Sequence, residues 1–555
     1  MRNILFCLIF LFVLQPSKIE SIPTAAMCDL NAALGVSVSF ASWKCVGNIP
    51  SNLCDWANVA CDSNNVVGIN LFSSSLQGTL PSSLNSISTL TSLILSSNSI
   101  SGTIPPSLGD LRSLVVLQLN NNKFSGSINF LSISLSSLQY LDISSNSFFG
   151  SIPRSIGSLS SISALYMGTN KFNSTIPSTL NLLSNLVSLA LSYNSLSRTV
   201  PKFFSNLSKL QLLSIGSNKL SGNLLFSSSL GSLRFLDISF NSFFGSIPSS
   251  ISYLTNLNTA YFTGNSLTSQ IPGVISTLTK LQLLSFGNNP LTGTVPTTVA
   301  LLSSLVRLHI NSTSIGGSMP SSLGYLTNLN QLQFEQSSYS GTLPSTLGNL
   351  LKLTLLGLSF NSFTGTLPTS LGRLRNLLIL RFRYNKLKGN LPSQLGQLSM
   401  LGTFYASGNC LNGSLPSAIG QLSSVGLLYL DSNSFSSSIP TALGNLKSLV
   451  SLRLQHNRFT GSIPTSLAGM TSLQKLNLSE NSLVGFVPGQ LCGQSLSYIS
   501  VLDNPGLSCY DSCFVTKSIT VMSTNLTACA PSSSPSSSPT SGNPPTALMQ
   551  SAYLT

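Results

Sequence analysis

Charge is what this chain has least of. Lys, Arg, Asp and Glu make up 7% of its 555 residues, where a typical globular protein carries about 25%. Only two His are present, so catalysis or metal binding built on imidazole has little to draw on. No stretch reaches the eighteen or so consecutive apolar residues of a transmembrane helix. The little charge there is leans one way, with 26 Lys plus Arg against 12 Asp plus Glu and a net +14. That is about one excess positive charge per forty residues. It is too dilute for a nucleic-acid footprint, and no nucleic-acid partner is expected. Disorder is excluded as well, because 42% of residues are apolar. Ser, Thr, Asn and Gly must therefore cover the surface.

The N-terminus reads as a secretory leader. Arg2 supplies the positive start, Ile4 to Leu14 the apolar stretch, and the small residues around Ser21 to Ala26 the cleavage region. The leader is placed at residues 1–21, with its end extending to 26. Cysteine usage agrees with export. Cys28, Cys45, Cys54 and Cys61 precede the main body, and Cys492, Cys509, Cys513 and Cys529 follow it. Four cysteines at each end of a secreted chain are disulfide candidates, with three connectivities open for each set. Cys410 stands alone in the middle.

Between the cysteine clusters one pattern recurs: L-x-x-L-x-L-x-x-N. Its last position falls at Asn98, Asn122, Asn146 and onward to Asn504, with Ser74, Thr313 and Ser337 in the same phase. From 74 to 504 the period is 24 residues in 16 steps and 23 in two, which makes 19 units. In Leu353-x-x-Leu356-x-Leu358-x-x-Asn361, Leu356 and Leu358 alternate inward on a short strand. One coil cannot bury that face alone, but stacked coils share a continuous core. The Asn, with two donors and an acceptor, can satisfy backbone groups where the chain turns inside the coil. Seven residues after that position comes Pro in 16 of 18 units, with Asn129 and Leu225 as the exceptions.

This consensus is the leucine-rich-repeat signature. Its L-x-G-x-[IL]-P extension, as in Gly365-Thr366-Leu367-Pro368, resembles the plant-type subclass, which includes receptor-like kinases, receptor-like proteins and polygalacturonase inhibitors. Cys54-Asp55-Trp56-Ala57-Asn58-Val59-Ala60-Cys61 is similar to the family's C-x-W-x-G-V-x-C cap, except that Asn58 stands in the place of Gly. The resemblance implies an α/β repeat solenoid: a leucine-rich-repeat horseshoe of about 19 repeats of 24 residues, with a parallel β-sheet on the concave face and disulfide caps. The expected divisions are an N-terminal cap over 27–65, the solenoid over 66–504, and a C-terminal cap over 492–529 that overlaps the last repeat. A Pro/Ser/Thr-rich tail follows over 530–555, of the kind that forms exposed stalks. Similar architecture occurs in the leucine-rich surface antigens of flagellate protists.

No kinase signature, Walker A, H-E-x-x-H or G-x-S-x-G sequence is found. Neither enzymatic activity nor a cofactor or metal is expected. Binding should instead fall to the concave strand positions, which grow richer toward the C-terminus. The candidates are Arg381, Arg383, Tyr384, Tyr405, Tyr429, Asp431, Arg453 and His456, a set led by the Tyr and Arg enriched at interface hot spots. No acid lies between Glu335 and Asp431, so the local field is positive. Arg381 and Arg383 bracket an inward Phe382 and should project together, a pair of forks suited to a carboxylate or sulfate. Arg373 and Arg375 should fall on the convex side. Plant peptide receptors of similar fold carry an R-x-R that receives a peptide's terminal carboxylate.

Sequons occur at Asn173, Asn206, Asn311, Asn412, Asn477 and Asn525, with Asn311 and Asn477 in concave phase. The expected function is extracellular recognition of a peptide, protein or glycan, with a membrane co-receptor as a further partner, at the cell surface or after secretion. Two other readings fit the same fold: an inhibitor of a secreted hydrolase, and an adhesive surface antigen.

Overall fold

The computed structural model describes residues 22–529, apart from residues 47, 48, 51, 132, 133, 202–204, 494, 518, 524 and 525. The leader at 1–21, the tail at 530–555 and the sequon at Asn525 lie outside the described residues.

Each repeat contributes a strand of about three residues to one long sheet. The strands run from Asn65–Asn70 through Ser92–Ile94 and its successors to Tyr498–Ser500, one for each of the 19 repeats, all paired in parallel. Pairing is without slip, so every position forms a straight row: Leu356 lies beside Leu380, Leu380 beside Phe404, and Phe404 beside Leu428. The middle residue of each strand is buried and its two neighbours face the opposite, concave side, as in Ile379–Arg381 around Leu380. This is the period-2 alternation of a half-buried strand.

The Asn positions do what their chemistry allows. Asn98 Oδ1 accepts from the backbone N–H groups of Ser74 and Leu76, while Nδ2 donates to the carbonyls of Leu71 and Leu95. The same pattern recurs coil after coil, so buried turns keep their hydrogen bonds. Thr313 and Ser337 fill two rungs with hydroxyls.

A second set of strands, not anticipated from the sequence, runs along the flank between the Asn and Pro positions. Eight of these strands, from Ser101–Thr103 to Ser266–Thr268, form one ladder, with three- and seven-stranded ladders following. Many include the Gly of the L-x-G-x-[IL]-P extension, and a Gly inside a strand pattern reads as a break. That Gly takes a left-handed conformation, φ 79° at Gly102 and 74° at Gly365, which Gly alone adopts at no steric cost.

The Pro that follows starts a five-residue 3-10 turn on the convex side, as in Pro368 before Thr369–Arg373. Its fixed φ suits the entry, and its missing N–H is one the turn would leave unpaired. The helical half of the expected α/β solenoid is therefore 3-10 in most of the described coils; α-helices occur only in the caps among the described residues. Stacked rings line the interior, with Phe124, Phe148 and Phe172 at centroid spacings of 6.1 and 6.3 Å. Paired strands sit about 4.8 Å apart. Coils that are closer at the concave sheet than at these rings must fan outward, which curves the stack.

Both ends are closed. Helix α1, Ile22–Leu34, starts ahead of the expected cap boundary at 27 and buries Ala26, Met27, Leu30 and Leu34. Ser83 Oγ on the first coil donates to Asp29 Oδ2 on this helix at 2.6 Å. The strand Val59–Asp62 then pairs antiparallel with Asn65–Asn70 and covers the first sheet edge. Asn58, the departure from the cap pattern, sits at φ 65°, a conformation Asn tolerates better than most residues. At the other end Thr520–Met522 adds beside Tyr498–Ser500. The disulfides are Cys28–Cys45, Cys54–Cys61, Cys492–Cys513 and Cys509–Cys529, and Cys410 is a free, exposed thiol. Cys54→Ser should lower stability by about 2 kcal/mol, the chain-entropy contribution of so short a loop. An unchanged unfolding midpoint in urea would count against a sealing role for this bridge.

Candidate ligand-binding face

The concave rows decide which of the candidate side chains meet. Strand register sets Arg381 beside Tyr405, Tyr405 beside Tyr429, and Tyr429 beside Arg453. The two tyrosine rings stack with centroids 4.6 Å apart and planes at 10°. Guanidinium groups flank the stack on both sides: Arg453 lies 4.3 Å from the Tyr429 centroid, and Arg381 and Arg383 lie 5.9 and 5.7 Å from that of Tyr405. Arg383 also sits 5.0 Å from the Phe360 ring. Contacts of this kind contribute roughly 0.5–2 kcal/mol each and fix long side chains that would otherwise sample many rotamers.

Arg381 and Arg383 flank the buried Phe382 and share one strand end, as the alternation requires. Among the described residues neither has a carboxylate within ion-pair distance, and neither Nε has a hydrogen-bond partner. Aromatic faces hold these groups in place, so their charge is not neutralised internally. Burial raises the Tyr405 pKa, and the neighbouring Tyr429 raises it further against the opposing pull of Arg381, Arg383 and Arg453. That hydroxyl therefore stays protonated and can donate.

Three candidates sit differently from the row. Asp431 is 9% exposed and its Oδ1 accepts from Ser407 Oγ at 2.7 Å. It is a correction to the expected set, because this carboxylate braces the sheet and offers little to the groove. Tyr384 and His456 lie a few residues beyond the strands, at left-handed positions with φ 54° and 53°. They form the rim: Tyr384 stacks on Phe360 at 4.9 Å, and His456 Nδ1 pairs with Glu480. Phe360 was missed in the sequence, although it occupies the phase of Tyr384 one repeat earlier.

Arg373 and Arg375 are exposed on the convex side, where Arg373 Nη1 donates to Asn349 Oδ1 at 3.3 Å. Asn477 ends the concave strand Lys475–Asn477, and Asn311 lies just past Arg307–His309. Asn173 and Asn412 lie on flank strands, and Asn206 is exposed in a turn. A concave hollow of about 430 Å³ adjoins the aromatic row, between Arg453, Gln455, Lys475 and Tyr498.

A family model described as a leucine-rich repeat region matches residues 89–263, and a single-repeat model, Leucine Rich Repeat, matches 352–374, 448–470 and 472–494. The solved structure of the plant peptide hormone receptor RGFR1 in complex with RGF2 aligns with a TM-score of 0.79 at 30% identity, over 85% of this chain and 83% of that one. The ectodomain of the Arabidopsis receptor kinase HAESA, in complex with an N-terminally extended IDA peptide hormone ligand, aligns at 0.79 and 31% identity, over 92% and 86%. HAESA in complex with IDA and the co-receptor SERK1 aligns at 0.54 and 27%, over 89% and 99%. Against curated proteins the chain finds no match. Among the described residues no helix is long and apolar enough to cross a membrane.

Proposed function

The chain belongs to the plant-type leucine-rich-repeat family, and from that premise we propose that it is a non-enzymatic, extracellular receptor-like protein that binds a peptide through its concave face. The observation that carries this reading is the pair Arg381 and Arg383: two guanidinium groups on one strand end, held by aromatic rings and lacking a counter-ion among the described residues. A carboxylate accepts two parallel N–H donors from such a fork, with more energy and more directional demand than a point charge offers. A peptide's C-terminus supplies that group whatever its sequence. The chain leading to it would pack on Tyr405 and Tyr429, about 5 and 10 Å along the sheet.

Four cap disulfides support an oxidising, extracellular setting. The peptide complexes of the similar receptors favour a peptide over a glycan, and the SERK1 complex favours a membrane co-receptor as second partner.

The test is a pool of short random peptides passed over the immobilised full chain. Peptides retained with a free C-terminus should be released when the same sequences are made as C-terminal amides. Equal retention of both forms would rule out the carboxylate reading.

A further inference from the structure

A second built site lies toward the opposite end of the concave face, in the repeats that otherwise carry Ser, Thr and Gly. Tyr140 and Asp142 point to the same side of the strand Tyr140–Asp142, two residues apart. On the next strand Tyr166 lies directly beside Asp142, and Ala164 lies beside Tyr140. Three corners of this square are therefore large or charged, and the fourth is a methyl group. The following strand offers Ser188 and Ala190, again small. The result is a hollow of about 370 Å³ lined by Tyr140, Asp142, Tyr166, Ala190, Ser192 and Ser214, among others.

The two rings stand 5.6 Å apart with planes at 51°, so they do not present one flat platform of the kind a sugar ring stacks on. Asp142 Oδ1 takes both donors of Ser144, at 2.9 Å from the backbone and 2.6 Å from the hydroxyl. Oδ2 takes neither, and no Lys or Arg is among the residues lining the hollow. Burial raises the pKa of Asp142 because its charge is poorly solvated there. A carboxylate that is partly desolvated, uncompensated and set beside two electron-rich rings favours a cation over a neutral group.

We propose that Tyr140, Asp142 and Tyr166 form a cation subsite that takes the guanidinium or ammonium group of a basic residue in the bound peptide. The ring faces would attract the charge, Asp142 Oδ2 would accept its N–H donors, and Ala190 with Ser192 and Ser214 would leave the room it needs. The proposal deepens the peptide reading and rests on it for the source of the cation. The subsite itself is independent, because ten strand spacings, roughly 48 Å, separate Asp142 from Arg381.

The test is a titration of the full chain with N-acetyl-arginine amide, with the uncharged isostere N-acetyl-citrulline amide alongside, read by calorimetry at low salt. Saturable binding of the arginine probe is expected, at least about tenfold weaker for citrulline and for Asp142→Asn. Asp142→Asn keeps a similar shape and an acceptor for Ser144, and a thermal melt verifies its fold. Ala190→Leu fills the small side of the hollow and should block the probe with the carboxylate still in place; the larger Tyr166 already stands beside it in that row. Arg373→Ala plus Arg375→Ala, on the convex side, should leave the titration unchanged. Equal affinity for citrulline, or full binding by Asp142→Asn, would overturn the proposal. If the peptide pool proves indifferent to amidation while the arginine probe still binds, the carboxylate reading fails and the cation subsite stands.

Discussion

Arg381→Ala combined with Arg383→Ala is expected to abolish retention of free-acid peptides, a loss of roughly thirtyfold or more, with at most a modest fall in the protein's melting temperature. Truncating one partner of a desolvated charge pair typically costs about 2–5 kcal/mol. Here both donors to one carboxylate would go, together with the cation–π contacts that position them over Tyr405 and Phe360. The fold should persist despite the lost cation–π contacts, because both side chains leave the sheet on its solvent side and the core residue between them, Phe382, is untouched. Net charge alone falls by the same amount in Arg373→Ala plus Arg375→Ala, so that convex pair is the matched control. If it weakened binding equally, a diffuse positive field would be responsible. Arg383→Lys separates charge from geometry: the ammonium keeps the field but loses the planar fork, so it should bind peptide more weakly than the parent chain and more tightly than the double variant.

How far the sequence showed this site depends on which residue is asked about. Arg381, Arg383, Tyr405, Tyr429 and Arg453 were legible because the repeat phase fixes which positions face the groove, and strand pairing without slip turns equal phase into contact. Asp431 also fell in concave phase, yet its short side chain folds down onto Ser407. Phase gives a direction and not a reach. Tyr140 and Asp142 were in phase too, but a hollow is made by what is small beside them, Ala190, Ser192 and Ser214, and small residues look like filler in a Ser-rich repeat. The flank ladders were hidden for a related reason. Many of their strands pass through Gly at positive φ, where the usual strand signals are absent.

The Asn ladder yields the other large effect, and the structure shows that its rungs are not equivalent. In a regular stretch each inner carbonyl is shared: Ala406 O accepts from both Asn409 and Asn433. Asn433→Ala therefore orphans mainly the Leu411 N–H that Oδ1 held. At Asn361 the sharing fails, because the preceding rung is Ser337, whose hydroxyl reaches Ile310 O and Glu335 O but not Phe334 O. Asn361 Nδ2 alone holds the Phe334 carbonyl, at 2.7 Å, while Oδ1 accepts from the Tyr339 N–H at 3.1 Å. Two buried groups would lose their partners in Asn361→Ala, at about 1–3 kcal/mol each. The expected cost is about 4 kcal/mol, roughly twice that of Asn433→Ala. Asn361→Ser should fall between the parent and the alanine variant, since Ser337 shows that a hydroxyl can hold part of a rung. Stacked coils depend mainly on their neighbours, so the damage should appear first as faster hydrogen exchange at the Tyr339 amide, before any change at distant repeats. Equal costs for Asn361→Ala and Asn433→Ala would mean that the broken rung is compensated elsewhere in the coil.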